Sequence, residues 1–251
     1  MTFQPTSRYI KAPDDSTVVW RYLSFFTFVE LIHRRKLRFT RADRFKDPLE
    51  GMITSTEGST LSALYRERSI STVPEEELIT NLTPIASYVS CWREGDQESM
   101  AMWDLYNKGE GTVAVTSTVG LIKEVLQQEP EECSVGRVDY IPWKTHDDLP
   151  DAFYRCFRKD LSYQHELEIR AVLHRFRATL SSLREGEPFE QLIARIPEAV
   201  ELDIELTRFI TGVVVGPEQG SRSSELIRSI VEQYSLPWAV RSSELLKKPE
   251  F

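Results

Sequence analysis

Between Tyr163 and Leu173 the chain reads YQHELEIRAVL, and the alternation in it leaves little choice of backbone. Successive side chains of a strand point to opposite faces, so Leu167, Ile169, Ala171 and Leu173 share one face while Glu166, Glu168 and Arg170 share the other. The segment therefore predicts a strand with one face in a core and three charges on the other. The charged face has two meanings. It is either a solvated surface with ordinary charges or a pair of carboxylates on a rigid element lining a cleft, placed to act as a base or to stabilise developing positive charge.

A strand of this kind needs a core, and 251 residues with 41% hydrophobic content can bury one, as a single domain over 1–251. The 31 basic and 39 acidic residues leave a net charge of -8, which argues against a general nucleic-acid surface held by counterion release. The N-terminal MTFQPTSRYIKAPDDS lacks the apolar stretch of a signal peptide and no run reaches membrane-span length, so no membrane partner and a cytoplasmic location are expected. Cys91, Cys133 and Cys156 are odd in number and far apart, without zinc or disulfide spacing.

Strands are expected at Ser16–Ser24, Lys36–Phe39, Ile85–Trp92, within Gly109–Thr118, and in CSVGRVDYI. The first is followed by a short helix with Phe28, Leu31 and Ile32 on its apolar stripe and Thr27 with Glu30 as a capping box. RFKDPLEG breaks regular structure, since Pro48 keeps Asp47 extended and Gly51 permits a turn. Residues 54–84 predict a helical excursion, Asp147–Arg158 a helix, and 177–207 a helical segment split near Gly186–Pro188 and at Pro197. GVVVGP, SSELIRSIVEQYS and PWAVRSS close the chain in strand, helix, strand order.

Arg21 interrupts VVWRYL where an apolar residue would serve. Its fork of donors suits a phosphate or carboxylate ligand, or an ion pair with Asp47 or Glu50, which themselves sit in a turn where Asp is common for backbone reasons. GPEQGSRSSEL has strand, loop, helix layout but neither the glycine spacing nor the lysine of a Walker loop, and reads as a turn and helix cap. His33, His146, His165 and His174 show no HExxH spacing, and no GxSxG elbow is present. Trp92, Trp103 and Trp143 suit either a base-stacking surface or a core.

Taken in order, VVWRYLS, KLRFTRADRFKDPLEG, YVSCWRE, MWDLYNKGEGTVAV, YQHELEIR and VVVGP resemble the uncharacterised bacterial family called domain of unknown function 2971, from about Val18 to Pro217. The chain departs from that pattern in RRK before Leu37, where glycine is usual, and in Trp92 and Tyr163. The order of a basic residue on an early strand, a serine on a middle strand and a late Glu-x-Glu strand also looks like the ADP-ribosyltransferase superfamily. That resemblance implies an α+β fold, a single mixed, mainly antiparallel split sheet with surrounding helices, and NAD as substrate with no metal expected. It implies Glu168 as the catalytic carboxylate, Ser90 orienting it and Glu166 facing the acceptor. Arg21, Tyr22, Asp47, Glu50, Trp103 and Tyr106 would then hold the nucleotide.

The chemistry implied is an NAD-consuming transferase or glycohydrolase, a toxin or defence effector acting on a small nucleotide substrate, its acceptor unspecified. Cleavage of a ribosyl bond builds oxocarbenium character that a carboxylate stabilises without a metal. Glu168→Gln is expected to abolish turnover and leave the thermal transition nearly unchanged. Two alternatives stand beside it: a metal-dependent nuclease or phosphohydrolase using Asp47, Glu50, Glu166 and Glu168 as magnesium ligands, and a non-catalytic sensor or interaction module.

Overall fold

The computed structural model describes residues 7–45, 82–107, 111–142, 153–182, 189–217 and 221–246. Asp47, Glu50 and the expected helical excursion up to residue 81 lie outside the described residues. In chain order the strands are β1 (Val18–Ser24), β2 (Lys36–Arg41), β3 (Ser87–Glu94), β4 (Thr112–Thr118), β5 (Glu132–Arg137), β6 (Asp139–Ile141), β7 (Arg158–Asp160), β8 (Glu168–His174), β9 (Ala199–Asp203), β10 (Gly212–Val215) and β11 (Val240–Ser242). The helices are α1 (Phe25–Arg34), α2 (Met100–Tyr106), α3 (Val119–Leu126), α4 (Phe176–Ser181), α5 (Phe189–Arg195), α6 (Leu206–Phe209) and α7 (Ser221–Gln233).

The fold is α+β, built on one mixed and mainly antiparallel sheet. Its strand order is β11, β10, β4, β1, β3, β2, β9, with β8 and β5 branching from β3. Among the described strands of this sheet only β10 and β11 pair parallel, as their helical crossover through α7 requires. A short parallel ribbon of β6 and β7 stands apart.

The sheet splits at β3. One edge of β3 is paired with β8 from Ser87 to Arg93. The other edge is shared, with Tyr88 and Val89 held by β2 and Arg93 and Glu94 held by β1. Ser90, Cys91 and Trp92 pair with neither strand on that edge. The divergence of β1 from β2 therefore opens a gap along the middle of β3, and among the described residues Arg21 to Ser24 of β1 ladder to β4 alone.

Apolar alternation divides the interior into three clusters. The largest lies on one sheet face, where Phe28, Leu31 and Ile32 of α1, Ile122 and Val125 of α3, and Ile227 and Val231 of α7 cover Val19, Val115, Ile169 and Val213. The opposite face carries two smaller clusters. Trp20, Tyr22, Ala114 and Val214 meet Met102 and Trp103 of α2, while Val89 and Val172 meet Ile10, Ala42, Cys156 and Phe157.

Three local expectations are corrected. The N-cap of α1 is Ser24, whose hydroxyl accepts from the Thr27 N–H at 3.2 Å, rather than a Thr27–Glu30 box. The helix ends on Arg35 in the left-handed region (φ 54°), so this chain takes the steric cost, about 1 kcal/mol, that glycine would spare it. The 177–207 segment is not all helical, because Ala199–Asp203 forms β9 and pairs with β2 through Lys36↔Asp203 to Thr40↔Ala199. Helical periodicity in a short exposed run yields here to a free strand edge. Of the expected Asp147–Arg158 helix, the described part is a 3-10 turn, Phe153–Phe157, leading into β7.

His174, at the end of β8, is 1% exposed. Its Nδ1 lies 3.0 Å from Ser87 Oγ, and its ring packs on Phe153 and Phe176. Burial pushes the imidazole pKa from 6.5 down to about 3. Because the folded value lies below the unfolded one, the neutral ring's contribution is complete above pH 6.5 and is lost as pH falls toward 3. Denaturant titrations from pH 7 to 4 are expected to show an acid loss of stability reaching on the order of 3 kcal/mol by pH 4. That part of the slope should be missing in His174→Phe.

Candidate active site

The gap along β3 is spanned by one side chain. Arg21 of β1 donates from Nη1 to Ser90 Oγ at 2.9 Å and from Nη2 to the Arg38 carbonyl at 3.2 Å, tying β1 to both β3 and β2. Trp92 fixes the same hydroxyl through Nε1 at 3.1 Å, and the guanidinium lies 5.5 Å from a Trp92 ring centroid. Among the described residues no carboxylate pairs with Arg21. Desolvation lowers its pKa, with Tyr106 and Cys91 acting in the other direction, yet a guanidinium stays charged at any ordinary pH. A partly buried cation is thus held at the split with no carboxylate paired to it among the described residues.

Glu168 begins β8 and is 6% exposed. Its Oε2 accepts from Arg170 Nη2 at 2.9 Å, lies 3.6 Å from Lys159 Nζ, and its backbone N–H donates to the Tyr140 hydroxyl at 2.7 Å. Burial works to raise its pKa, but the charges of Arg170 and Lys159, with hydrogen bonds from Arg170 and Cys91, outweigh it and hold the carboxyl below the usual range. It is a carboxylate at neutral pH. Arg170 is itself anchored on the Cys156 carbonyl at 2.8 Å.

Glu166 does not sit on the strand. It ends a 3-10 turn, Leu161–Glu166, and Leu167 takes a left-handed backbone (φ 45°) that leaves its side chain 49% exposed instead of in the core. The strict two-residue alternation fails there because a positive φ breaks the pleat. The two carboxylates still meet, since Glu166 Oε2 lies 2.6 Å from the same Lys159 Nζ.

Two clefts adjoin these groups. One, about 340 Å³, includes Glu166, Glu168, Lys159, Tyr163 and Arg93 in its lining. The other, about 470 Å³, includes Arg21, Ser24, Glu30, Arg38 and Thr40. They share Tyr22, Phe45, Cys91 and Tyr106 as walls, so the cleft at the split adjoins the one that holds Glu168. Tyr22 anchors the wall: its hydroxyl accepts from the Ser99 N–H at 2.9 Å, and its ring meets Trp103 edge-on at 4.8 Å and stacks with Tyr106 at 6.3 Å. Burial, with the neighbouring Cys91, pushes the Tyr106 phenol up to about 12, so it remains a hydrogen-bond donor.

Of the residues singled out from sequence, Arg21 lines the cleft at the split, Glu166 and Glu168 line the other, and Tyr22 and Tyr106 line both. Trp103 does not; it is buried beneath Tyr22 and donates to Glu98 Oε2 at 3.1 Å. Ser90 does not orient Glu168. Arg93 stands opposite Glu168 in the ladder, so Ser90, three positions away, projects from the other face and serves Arg21. Cys91 makes the contact with Glu168 instead. Sequence reasoning missed Lys159, Cys91 and Phe45. Cys91 had a signal in its strand position one residue after Ser90, whereas Lys159 and Phe45 had none.

No family model and no curated protein matches the chain, so the resemblance to domain of unknown function 2971 gains no support. Two solved structures of Thermus sp. 2.9 DarT, in complex with ADP-ribosylated ssDNA and with carba-NAD+, are similar to it. Identity is 11% in each case, over 93% and 92% of this chain and 96% and 97% of theirs, with TM-scores of 0.35 and 0.36. A likeness at that score leaves the chemistry to this chain's own residues. Among the described residues no helix is long and apolar enough to cross a membrane.

Proposed function

We propose that this protein consumes NAD, cleaving the ribosyl bond to nicotinamide and passing ADP-ribose to an acceptor or to water. One observation carries the proposal: Arg21, with no carboxylate partner among the described residues, and the ionised, buried Glu168 line two adjoining clefts at the split of β3 that share Tyr22, Phe45, Cys91 and Tyr106 as walls. The guanidinium suits the pyrophosphate. The walls of Tyr22, Tyr106 and Phe45 suit the flat rings at either end of a dinucleotide, and the second edge of β1 beyond Arg21, unpaired among the described residues, offers backbone groups to a carboxamide.

In the reaction the bond from ribose C1 to the pyridinium nitrogen breaks, and its electron pair neutralises nicotinamide as it leaves. Positive charge builds on the ribose, and the Glu168 carboxylate, fixed before the event, stabilises it electrostatically. The acceptor or water then bonds to C1 and gives up its proton to solvent or a base. Arg170 and Lys159 keep Glu168 ionised in a site that burial would otherwise neutralise.

A second reading, a non-catalytic nucleotide-binding module, is favoured by the cations that already balance Glu168. Lys159 lies between Glu166 and Glu168, where a bridging cation of the metal-dependent alternative would stand. Among the described residues no cluster of three metal-ligating side chains is present.

Incubation of the purified chain with NAD, with nicotinamide followed by chromatography, separates the two readings. Release of nicotinamide together with slowed alkylation of Cys91, which lines both clefts, is expected. Protection of Cys91 without release favours the binding module, and neither effect removes NAD from the site.

A further inference from the structure

Lys159 lies on β7, outside the main sheet, and is 8% exposed. Its ammonium reaches Glu166 Oε2 at 2.6 Å and Glu168 Oε2 at 3.6 Å, and sits 4.6 Å from the Tyr163 ring centroid. A lysine this deeply buried is costly unless its charge is compensated, and here two carboxylates from consecutive elements share it. The other groups facing Glu168 have separate tasks. Arg170, on the same strand, is tied to the Cys156 carbonyl, Arg93 on β3 is turned to the Glu94 and Gln97 carbonyls, and Cys91 donates from β3. Tyr140 accepts the Glu168 backbone N–H, and Tyr106 closes the space from α2 as a neutral phenol. Of these groups, Lys159 joins the turn that carries Glu166 to the strand that carries Glu168.

We propose that Lys159 is the positioning residue of this site: its ammonium acts as a built-in counter-cation, occupying the place between Glu166 and Glu168 that a bridging divalent ion would take. Removing the lysine leaves two neighbouring carboxylates, of which Glu168 keeps its pair with Arg170. Such a pair attracts a hard divalent cation through its oxygens. Replacing Lys159 by Gln should therefore create a cation site that the native chain lacks, whereas a lysine that merely fills space would leave no such site behind.

The test is Mn²⁺ binding followed by loss of the free-ion paramagnetic resonance signal. The native chain should leave millimolar Mn²⁺ free, Lys159→Gln should bind about one ion, and Lys159→Gln with Glu166→Gln should lose it. A folded Lys159→Gln that binds none, or a native chain whose bound Mn²⁺ is abolished by Glu166→Gln, overturns the proposal. Should Lys159→Gln lose its near-ultraviolet dichroism in buffer, Mn²⁺ is expected to restore it, and failure to do so counts equally against the role.

A second arm rests on the NAD-consuming function proposed above. Lys159→Gln should lower the kcat for nicotinamide release roughly tenfold or more with KM little changed, and Lys159→Arg should recover part of it. A native chain that releases no nicotinamide defeats the proposed function but leaves the Mn²⁺ result to judge Lys159.

Discussion

Replacing Glu168 by Gln is expected to reduce nicotinamide release by about 10²- to 10³-fold, the scale set by loss of one preorganised electrostatic group at a developing charge. The isosteric amide still accepts a hydrogen bond from Arg170, but it carries no charge to set against the ribosyl cation. The structure also revises the expectation that this variant melts like the native chain. Glu168 is buried against Arg170 and Lys159, and neutralising it takes one ionic partner from Arg170 in a buried site. Breaking a buried pair costs about 3 kcal/mol or more, softened here because Lys159 retains Glu166. Thermal melts and single-turnover assays on the same preparation check both parts. A rate within tenfold of native in a folded Glu168→Gln removes the carboxylate from the chemistry.

Arg21→Met should act on binding more than on the chemical step. Its guanidinium is positioned by Ser90 Oγ and the Arg38 carbonyl before any ligand arrives, and charge-assisted contacts to a diphosphate are worth about 2–3 kcal/mol, a 30- to 150-fold loss of affinity. The affinity for NAD or ADP-ribose, read by calorimetry, is expected to fall on that scale with kcat less affected. Arg21→Lys should recover little, since an ammonium lacks the fork that reaches two strands at once. Unchanged affinity in Arg21→Met would show that the anion of the ligand lies elsewhere.

These two residues were legible in the sequence for one reason: each breaks a local pattern. Arg21 interrupts an apolar run, and Glu168 sits on the polar side of an alternating strand. A two-residue period is a property of neighbouring peptides, so it survives reading one residue at a time. The strands β1, β3, β4, β8 and β10 and the stripe of α1 were readable on the same basis. Local reading failed where backbone conformation departs from its period, as at Leu167, and where a distant edge recruits a segment, as at Ala199–Asp203.

The role given to Ser90 failed for a different reason. Strand position alone placed it near Glu168, but the register that pairs Arg93 with Glu168 puts Ser90 on the far face and Cys91 on the near one. Register is fixed by contacts between segments some eighty residues apart in the chain, and a shift of one residue exchanges every side chain between faces.

Sequence alone was enough to mark β1, β3, β4, β8 and β10 as strands, and a carboxylate and an arginine as interruptions in them, because those properties depend on side chains a few bonds apart. Only the tertiary structure decided that β1 and β2 share one edge of β3 and splay apart there, that Arg21 spans the gap, and that Lys159 reaches the two glutamates. Those outcomes depend on strand order, register and the desolvation of charges brought together from separate elements, and none of these is encoded in the spacing of residues along the chain.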